Sequence, residues 1–460
     1  MKKFQKIEFS HSLSETITVL DGRNRHKLSP LTPYISEKAL NKYRILVEIR
    51  YLEKLSRIKI IRPINLKEKK VLQNIWQVFD EGDYQRLRTI ELKVNHDVKA
   101  VEEFLKEKLK KSTLTDIFSM VHFCLTSEDI NNLAYDLMIK NCLGKVIIKE
   151  IEKAIKTLKE KTIKYKKITM LSHTHGQPAV PTTLGKELLI YSNRLEQELA
   201  ILKSLKIKGK LTGNVGNLNA LKFLYPKINW LKFSEEFVKS FGFEPDLVTT
   251  QIESYDSLIY IFQSLMRLNN IFIGLCVDMW LYISLGYFIQ RVVKKEVGST
   301  ALPHKVNPIY FEGAEGGFGI ANSLFEFYSR KLSSSRLQRD LSDSTVRRSF
   351  GISLSYSLLS YQSIIEALNR IEPNQEKIVN DLNSHWEILS EVIQNFLKMK
   401  GYHNAYDKVK VFFHGKNLGE KEIKNFVESL QLKNIDKEIL LKLKPENYTG
   451  YAEEIVEKYI

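Results

Sequence analysis

The sequence predicts an all-α protein whose centre is a bundle of long helices. Five stretches in the middle of the chain carry apolar residues at spacings of three and four, which is the period of one helix face. The chain has 460 residues, of which 43% are hydrophobic and 27% are charged, a composition typical of soluble globular proteins. Successive long amphipathic helices bury their apolar faces together, so a bundle is expected.

The five stretches set the order of the predicted helices. The first begins after Thr126, where Asp129 three residues later is typical of a capping box, and it continues to Leu158. The second follows Pro181. The second to fifth stretches cover residues 184–205, 257–289, 308–332 and 345–370.

Two changes of pattern predict the domain boundaries. Shorter helical pieces occupy about the first 115 residues, and the sequence Glu372-Pro373-Asn374 interrupts the helical pattern near residue 370. We therefore expect an N-terminal helical domain over 1–115, the long-helix bundle over 116–370, and a C-terminal helical domain over 371–460.

The third stretch could also be interpreted as a membrane span. The run IFIGLCVDMWLYISLGYFI, residues 271–289, is almost long enough, but Asp278 lies in its middle, where a charge is costly in lipid. A helix that is apolar all round is equally typical of the centre of a large bundle. We expect a buried bundle helix and no membrane partner.

Cysteine usage and the N-terminus indicate the compartment. Cys124, Cys142 and Cys276 form no CxxC pair, which favours buried thiols in a reducing environment. The first residues, MKKFQKIEFSHSLSE, lack the apolar core and cleavage site of a secretory signal. We expect a cytoplasmic protein.

The formal net charge of +16 restricts the class of partner. A basic protein attracts anions, either nucleic acid or a small polyanionic substrate. The lysines are spread along the whole chain, with neither zinc-finger spacing nor an aromatic RNA-binding signature. We therefore expect a solvated basic surface that steers an anionic small molecule, with no nucleic-acid partner.

Four polar segments interrupt the helical pattern and are the candidates for chemistry. They cover residues 94–97, 125–132, 172–178 and 298–312. Each lies at the end of a long helix or between two of them. Together they supply the components of one active site, since side chains from different helices of a bundle meet between those helices.

These segments contain an acid, a base and anion-binding groups. His175 is a candidate general acid, and Glu312 a carboxylate that could orient it. Ser299, in a loop led by glycine, could act as a base if nearby N–H groups and Lys305 lowered its proton affinity. Lys305 and Asn307 could hold a carboxylate and the charge that develops on it.

Each segment also has a structural explanation. Thr126 could be a helix cap only, and His96 or His175 could be hydrogen-bonded structural histidines. A metal site at His173 and His175 is a further alternative. It is not favoured, because the i, i+2 spacing suits a strand and no HExxH motif or Cys/His cluster accompanies it.

The loop GSTALPHKVNP resembles the signature of the fumarase/aspartase superfamily, whose members release fumarate by β-elimination. The longer string PHKVNPIYFEGAEGGFGIAN is similar to adenylosuccinate lyases of the bacterial type. So are TSEDINNLAYDLM, THGQPAVPTTLGKE, VNHDVKAVEEFLKEK and SRLQRDLSDSTVRRS, in the same order. The resemblance extends from about Asp21 to about Gly415. Relatives that cleave other substrates carry different residues at the position of His304.

The resemblance implies a three-domain, all-α fumarase/aspartase-type fold and a homotetramer whose active sites are shared between chains. It implies two substrates, adenylosuccinate and its imidazole-carboxamide counterpart SAICAR, each cleaved to fumarate plus AMP or AICAR. It implies no metal and no organic cofactor.

The resemblance also assigns roles to individual residues. His175 matches the general acid, Ser299 the general base and Glu312 the group that orients the acid, while His96 belongs to a substrate-contacting segment and is counted as catalytic. The residues expected to bind substrate are Arg23, Asn24, Asn95, Asp97, Thr126, Ser127, Gln251, Lys305, Asn307, Arg339, Ser344 and Arg348. Arginines suit the phosphate, because a guanidinium binds it in a bidentate manner.

Three positions depart from the family pattern. Asn24 stands where the family usually has Tyr, His173 where it has Arg, and Thr300 where it has Ser. His173 replaces a permanent cation by a group that titrates near neutral pH. Two alternatives stay open: a sister lyase acting on another succinyl-amine such as argininosuccinate, and a non-catalytic protein that binds nucleotide or nucleic acid.

Overall fold

The computed structural model describes residues 16–291, 301–302 and 304–460, so Ser299 and Thr300 lie outside the described residues. Helices account for most of this part of the chain, and its strands are few and short. The predicted all-α class is therefore confirmed.

The helices follow the chain in this order. The first eight are α1 (Arg25–Leu28), α2 (Thr32–Ile35), α3 (Glu37–Arg57), α4 (Leu66–Gln77), α5 (Glu81–Val94), α6 (Asp97–Lys110), α7 (Ser127–Cys142) and α8 (Ile148–Lys164). The next seven are α9 (Leu184–Ser204), α10 (Asn219–Leu224), α11 (Trp230–Lys239), α12 (Asp256–Ser284), α13 (Ile309–Leu332), α14 (Ser342–Arg347) and α15 (Phe350–Asn369). The last six are α16 (Gln375–Asn383), α17 (Ser390–Met399), α18 (Ala405–Phe413), α19 (Glu420–Ser429), α20 (Asn434–Leu441) and α21 (Ala452–Tyr459).

Shorter elements connect these helices. A π-helical segment, Leu143–Ile147, joins α7 to α8, and 3-10 turns occur at Ser29–Leu31, Phe118–Met120, Trp386–Leu389 and Pro445–Asn447. Three two-stranded sheets pair β1 (Thr169–Thr174) with β2 (Gln177–Thr183), β3 (Lys208–Gly209) with β4 (Glu244–Pro245), and β5 (Phe288–Gln290) with β6 (Ile371–Pro373). The middle pair is parallel and the other two are antiparallel.

All five predicted stretches are helical, with two differences at their ends. The prediction that the third helix reaches residue 289 was wrong. It ends at Ser284, because Gly286 has a φ of +77° and the chain then enters strand β5. The fifth stretch is divided between α14 and α15.

Chain contacts divide the molecule into two compact units. The first comprises residues 1–150, 199–269 and 317–359, and the second comprises 151–198, 270–316 and 360–460. The division into three domains at residues 115 and 370 remains a prediction.

In the first unit, α3 packs along α7. Tyr51 of α3 is fully buried and makes edge-on contacts with Phe233 and Phe237 of α11. Phe262 and Phe350 form a second aromatic cluster, with ring centroids 4.9 Å apart. The Tyr51 hydroxyl donates to the carbonyl oxygen of Phe123 at 2.9 Å, just before the beginning of α7, where Thr126 and Ser127 lie.

In the second unit, the β1–β2 hairpin packs against α16 and the turn at Trp386–Leu389. Helices α17, α18 and α19 close around a core in which Phe412 stacks on Phe426 at 4.3 Å. The hairpin that bears His175 is therefore packed against the C-terminal helices.

Helix α12 is long and apolar enough to cross a membrane by length and composition alone. In the protein, 61% of its most apolar window is buried, which is the state of a core helix. Asp278 accepts a hydrogen bond from the Tyr191 hydroxyl, so the charge in its middle has a protein partner.

Candidate active site

Asp97 links the predicted segment 94–97 to Arg348 of the motif SRLQRDLSDSTVRRS, both in the first unit. It is the first residue of α6 and accepts hydrogen bonds from Nη2 of Arg44 at 2.7 Å and from Nη2 of Arg348 at 3.4 Å. Burial opposes the ionisation of Asp97, but the charge and hydrogen bond of Arg44, aided by Arg348, lower its pKa to about 2. Asp97 is therefore a fixed anion that holds Arg348 in place.

A buried ionic cluster lies at the start of α7. Glu128 accepts hydrogen bonds from Nη2 of Arg347 at 3.0 Å, Nη2 of Arg339 at 3.2 Å and Nδ2 of Asn131 at 2.9 Å. Burial alone would raise the pKa of Glu128, yet the two arginines and Asn131 lower it below its ordinary value. Arg339 also donates to Asp343 at 2.6 Å, so its guanidinium is held between two carboxylates.

His96 occupies the N-cap of α6. Its Nδ1 accepts the backbone N–H of Lys99 at 3.2 Å, so in the neutral ring the proton resides on Nε2. Half of the side chain is exposed, at 53%. The preceding residue, Asn95, ends α5 in the left-handed conformation with a φ of 52°. His96 can therefore offer an N–H donor to a ligand from a fixed position.

Thr126 is the N-cap and Ser127 the first residue of α7, whose N-terminal end favours anions. The predicted capping contact exists, since Asp129 Oδ2 accepts the N–H of Thr126 at 3.0 Å. Gln251 lies on another loop of this unit and donates to the carbonyl oxygen of Asn214 at 3.0 Å. The backbone N–H of Gln251 donates to the carbonyl oxygen of Gln338, which is next to Arg339 in the sequence.

The remaining predicted residues of this unit lie near Arg348 or at the surface. Arg348 lines a cavity of about 450 Å³ together with Asp21, Arg25 and Glu37. Arg23 is exposed, Asn24 is half-buried and caps α1, and Ser344 is half-buried in the first turn of α14.

His175 lies at the tip of the β1–β2 hairpin in the second unit. His175 and Gly176 form its two-residue turn with φ values of 55° and 74°, and Thr174 pairs with Gln177. The imidazole is exposed at the end of this ribbon. Partial burial lowers the pKa of His173 below its ordinary value, while Asp381 opposes and His385 adds to that effect.

Glu312 lies in the first turn of α13, and its Oε1 accepts the indole N–H of Trp280 at 3.1 Å. Lys305 is exposed in the segment before α13, and Asn307 is half-buried there. The side chain of Gln290 donates to the carbonyl oxygen of Val306 at 2.6 Å, which anchors this segment to strand β5.

Two of the predicted catalytic residues, His175 and Glu312, are not bonded to each other in the described part of the chain. Between His175 and Glu312, both in the described part of the second unit, there is no hydrogen bond or ion pair. Within residues 16–291, 301–302 and 304–460, no group of three or more His, Cys, Asp or Glu side chains could hold a metal ion.

Comparison with known proteins gives the family. A lyase family model matches residues 26–319, and the model of the adenylosuccinate lyase C-terminal region matches 335–449. The chain is 41% identical over 447 residues to adenylosuccinate lyase of Legionella pneumophila, which covers 96% of this chain and 98% of that protein.

The chain belongs to the adenylosuccinate lyase family. It is also 42% identical to the enzyme of Haemophilus influenzae, over 96% of this chain and 98% of that protein, and 43% identical to that of Dictyostelium discoideum, over 94% and 96%. The resemblance inferred from the five motifs is confirmed.

Solved structures of low identity share the fold. A fumarate lyase from Mesorhizobium superposes with a TM-score of 0.76 at 17% identity, covering 94% of this chain and 97% of that one. A carboxy-muconate cycloisomerase from Acinetobacter gives 0.73 at 17%, covering 93% and 96%. These likenesses agree with the predicted fumarase/aspartase-type fold.

The motifs also carry residues whose importance the sequence did not reveal. Glu128 and Asn131 in TSEDINN, and Asp343 and Arg347 in SRLQRDLSDSTVRRS, form the buried cluster around Arg339. Arg44 supports both Asp97 and Asn131 from α3. Charged residues in otherwise apolar helices were the available signal, since such charges are buried only when paired.

Proposed function

We propose that the chain is an adenylosuccinate lyase of purine nucleotide biosynthesis. It releases fumarate from adenylosuccinate to leave AMP, and from SAICAR to leave AICAR. The proposal rests on the 41% identity to the Legionella enzyme over 96% of this chain. Arg348, which is bonded to Asp97, and Arg339, which is bonded to Glu128, also support it, because guanidinium groups bind the anionic groups of a nucleotide.

In the proposed reaction, Ser299 removes a proton from Cβ of the succinyl group. The electron pair moves into the adjacent carboxylate, where Lys305 and Asn307 stabilise the added charge. The Cα–N bond then breaks, the Cα–Cβ double bond of fumarate forms, and His175 donates its proton to the departing nitrogen. Glu312 orients His175 in this scheme.

The first unit would bind the substrate's anionic groups. Arg339 and Arg348 suit the phosphate, because Asp343 holds the Arg339 guanidinium at 2.6 Å and the exposed Arg348 guanidinium lies 3.4 Å from Asp97. The N–H of Ser127 and the hydroxyl groups of Thr126 and Ser127 suit a carboxylate, while the N–H of Thr126 is already donated to Asp129. His96 would donate its Nε2 proton to the substrate.

The active form would be a cytoplasmic homotetramer with shared active sites. The lack of a bond between His175 and Glu312 within the described chain supports sharing, since a second chain could supply one of them. Large apolar side chains left exposed on the long helices support assembly; they include Tyr260, Trp280, Leu281, Ile320 and Phe327.

The deciding experiment is to incubate the purified protein separately with adenylosuccinate, SAICAR and argininosuccinate and to follow fumarate release. We expect fumarate from the first two and none from the third. Fumarate from argininosuccinate alone would indicate a sister lyase. A folded protein that binds AMP without turnover of any of the three would indicate the binding protein.

A further inference from the structure

Helix α7 begins with an electrostatic conflict. Its N-terminus, at Thr126 and Ser127, suits a substrate carboxylate, but the next two residues are Glu128 and Asp129. Two carboxylates in the first turn would repel an incoming anion, and the repulsion is strong where water is excluded. The structure places a buried cation beside each. Glu128 has Arg347, and Asp129 has Lys210.

The Lys210–Asp129 pair is completely shielded from solvent. Nζ of Lys210 lies 3.0 Å from Oδ1 of Asp129, and both side chains have 0% exposure. The same ammonium donates to the carbonyl oxygen of Gly213 at 3.1 Å. A lysine is buried this deeply only when it is paired, so its charge is committed to this site.

Lys210 cannot easily leave this position. The Asn132 side chain binds the Lys210 backbone on both sides: its Oδ1 accepts the N–H at 2.8 Å, and its Nδ2 donates to the carbonyl oxygen at 3.1 Å. Asn132 lies on α7, one turn after Asp129. The helix that carries the acidic residue therefore also fixes the cation that neutralises it.

Asp129 does not depend on Lys210 for its other hydrogen bonds. It accepts the N–H groups of Thr126 at 3.0 Å, Thr212 at 3.0 Å and Gly213 at 3.1 Å. An asparagine has one acceptor oxygen, which could keep the bonds from Thr212 and Gly213, whereas its NH2 group could not accept the N–H of Thr126. The charge of the pair can therefore be changed separately from most of its hydrogen bonds.

We propose that Lys210 is a positioning residue that neutralises Asp129 and so keeps the start of α7 attractive to a substrate carboxylate. The inference rests on the proposed function, because it takes Thr126 and Ser127 as the carboxylate site. Lys210 does not touch the substrate. It acts on binding through Asp129.

The test compares Lys210→Met, Asp129→Asn and the double variant, using KM and kcat for adenylosuccinate and inhibition by fumarate, which probes the carboxylate site alone. Lys210→Met leaves Asp129 uncompensated, so KM and the fumarate inhibition constant should rise about tenfold or more, with a smaller change in kcat. Asp129→Asn removes the repelling carboxylate itself, so neither constant should rise, whether or not Lys210 keeps its proton. The double variant should recover most of the loss seen in Lys210→Met.

The two single variants should differ in their effect on KM. This difference separates an electrostatic role of the pair from a loss of folded structure. If both single variants raise KM equally and the double variant is worse than either, the pair only supports the fold and the inference is overturned. If Lys210→Met does not fold, the other two variants still decide, because a raised KM in Asp129→Asn contradicts the inference. An inactive wild-type protein would overturn the proposed function instead.

Discussion

Arg347 and Arg348 are adjacent in sequence but have different surroundings. The Arg347 side chain is 1% exposed and is held by Glu128 and Asp343. The Arg348 side chain is 54% exposed and has a single long contact with Asp97. An arginine shielded from solvent cannot reach a ligand, whereas one with an exposed guanidinium can still bind phosphate. The geometry therefore favours Arg348 as the ligand contact and Arg347 as a buried partner of Glu128 and Asp343.

The proposed base gives the first prediction at the residue scale. Ser299→Ala removes the only group assigned to take the Cβ proton, so kcat should fall by about 10²-fold or more. Substrate binding should be largely intact, because the arginines and the start of α7 are unchanged. Steady-state kinetics and titration with adenylosuccinate measure the two effects. Ser204→Ala, an exposed serine at the end of α9, is the control and should retain full activity.

At the scale of single elements, the hairpin determines where His175 points. Gly176 has a φ of +74°, where a side chain costs about 1–2 kcal/mol. A Cβ at this position would meet no atom within 4 Å, so Gly176→Ala tests the backbone and not packing. We expect a several-fold lower kcat, because the turn relaxes and displaces the imidazole, with little change in melting temperature.

Gly144→Ala is the matched control for the hairpin variant. A Cβ there also meets nothing within 4 Å, but Gly144 lies in the π-helical segment after α7 and has no positive φ. Its kcat should equal that of the wild type. Equal activity of Gly176→Ala and Gly144→Ala, measured side by side, would show that the hairpin turn does not set the position of His175.

Elements also show what the sequence could and could not predict. Helix periodicity identified the five helical stretches in the middle of the chain, because burial of one face is a local pattern. It missed α3, a helix of 21 residues in a region expected to hold only shorter pieces. It missed the end of α12, where Gly286 permits a turn into β5. It also missed the bond between Glu128 and Arg347, which are 219 residues apart, because spacing along a helix says nothing about partners on another helix. The motifs named the residues on both sides of this cluster, but not their pairing.

At the scale of the whole molecule, the long helices leave surface that a single chain does not use. Gly313, Gly316 and Gly319 recur along α13, and a Cβ at any of them would meet nothing within 4 Å. Ile320 and Phe327 on the same helix are 45% and 41% exposed. Glycines allow close approach of a second helix, and exposed apolar side chains favour one. We infer that this surface of α13 lies at an interface of the proposed tetramer.

Ile320→Arg tests this interface together with the shared active site. A buried, unpaired guanidinium at a packed interface costs several kcal/mol, so the tetramer should dissociate to smaller species in light scattering coupled to size exclusion. Fumarate release should fall in parallel and recover partly at high protein concentration, because each site of the proposed tetramer takes residues from more than one chain. Val411→Arg, at a position 80% exposed on α18, should leave both assembly and activity unchanged. A dissociated Ile320→Arg variant with full activity would mean that one chain contains a complete site.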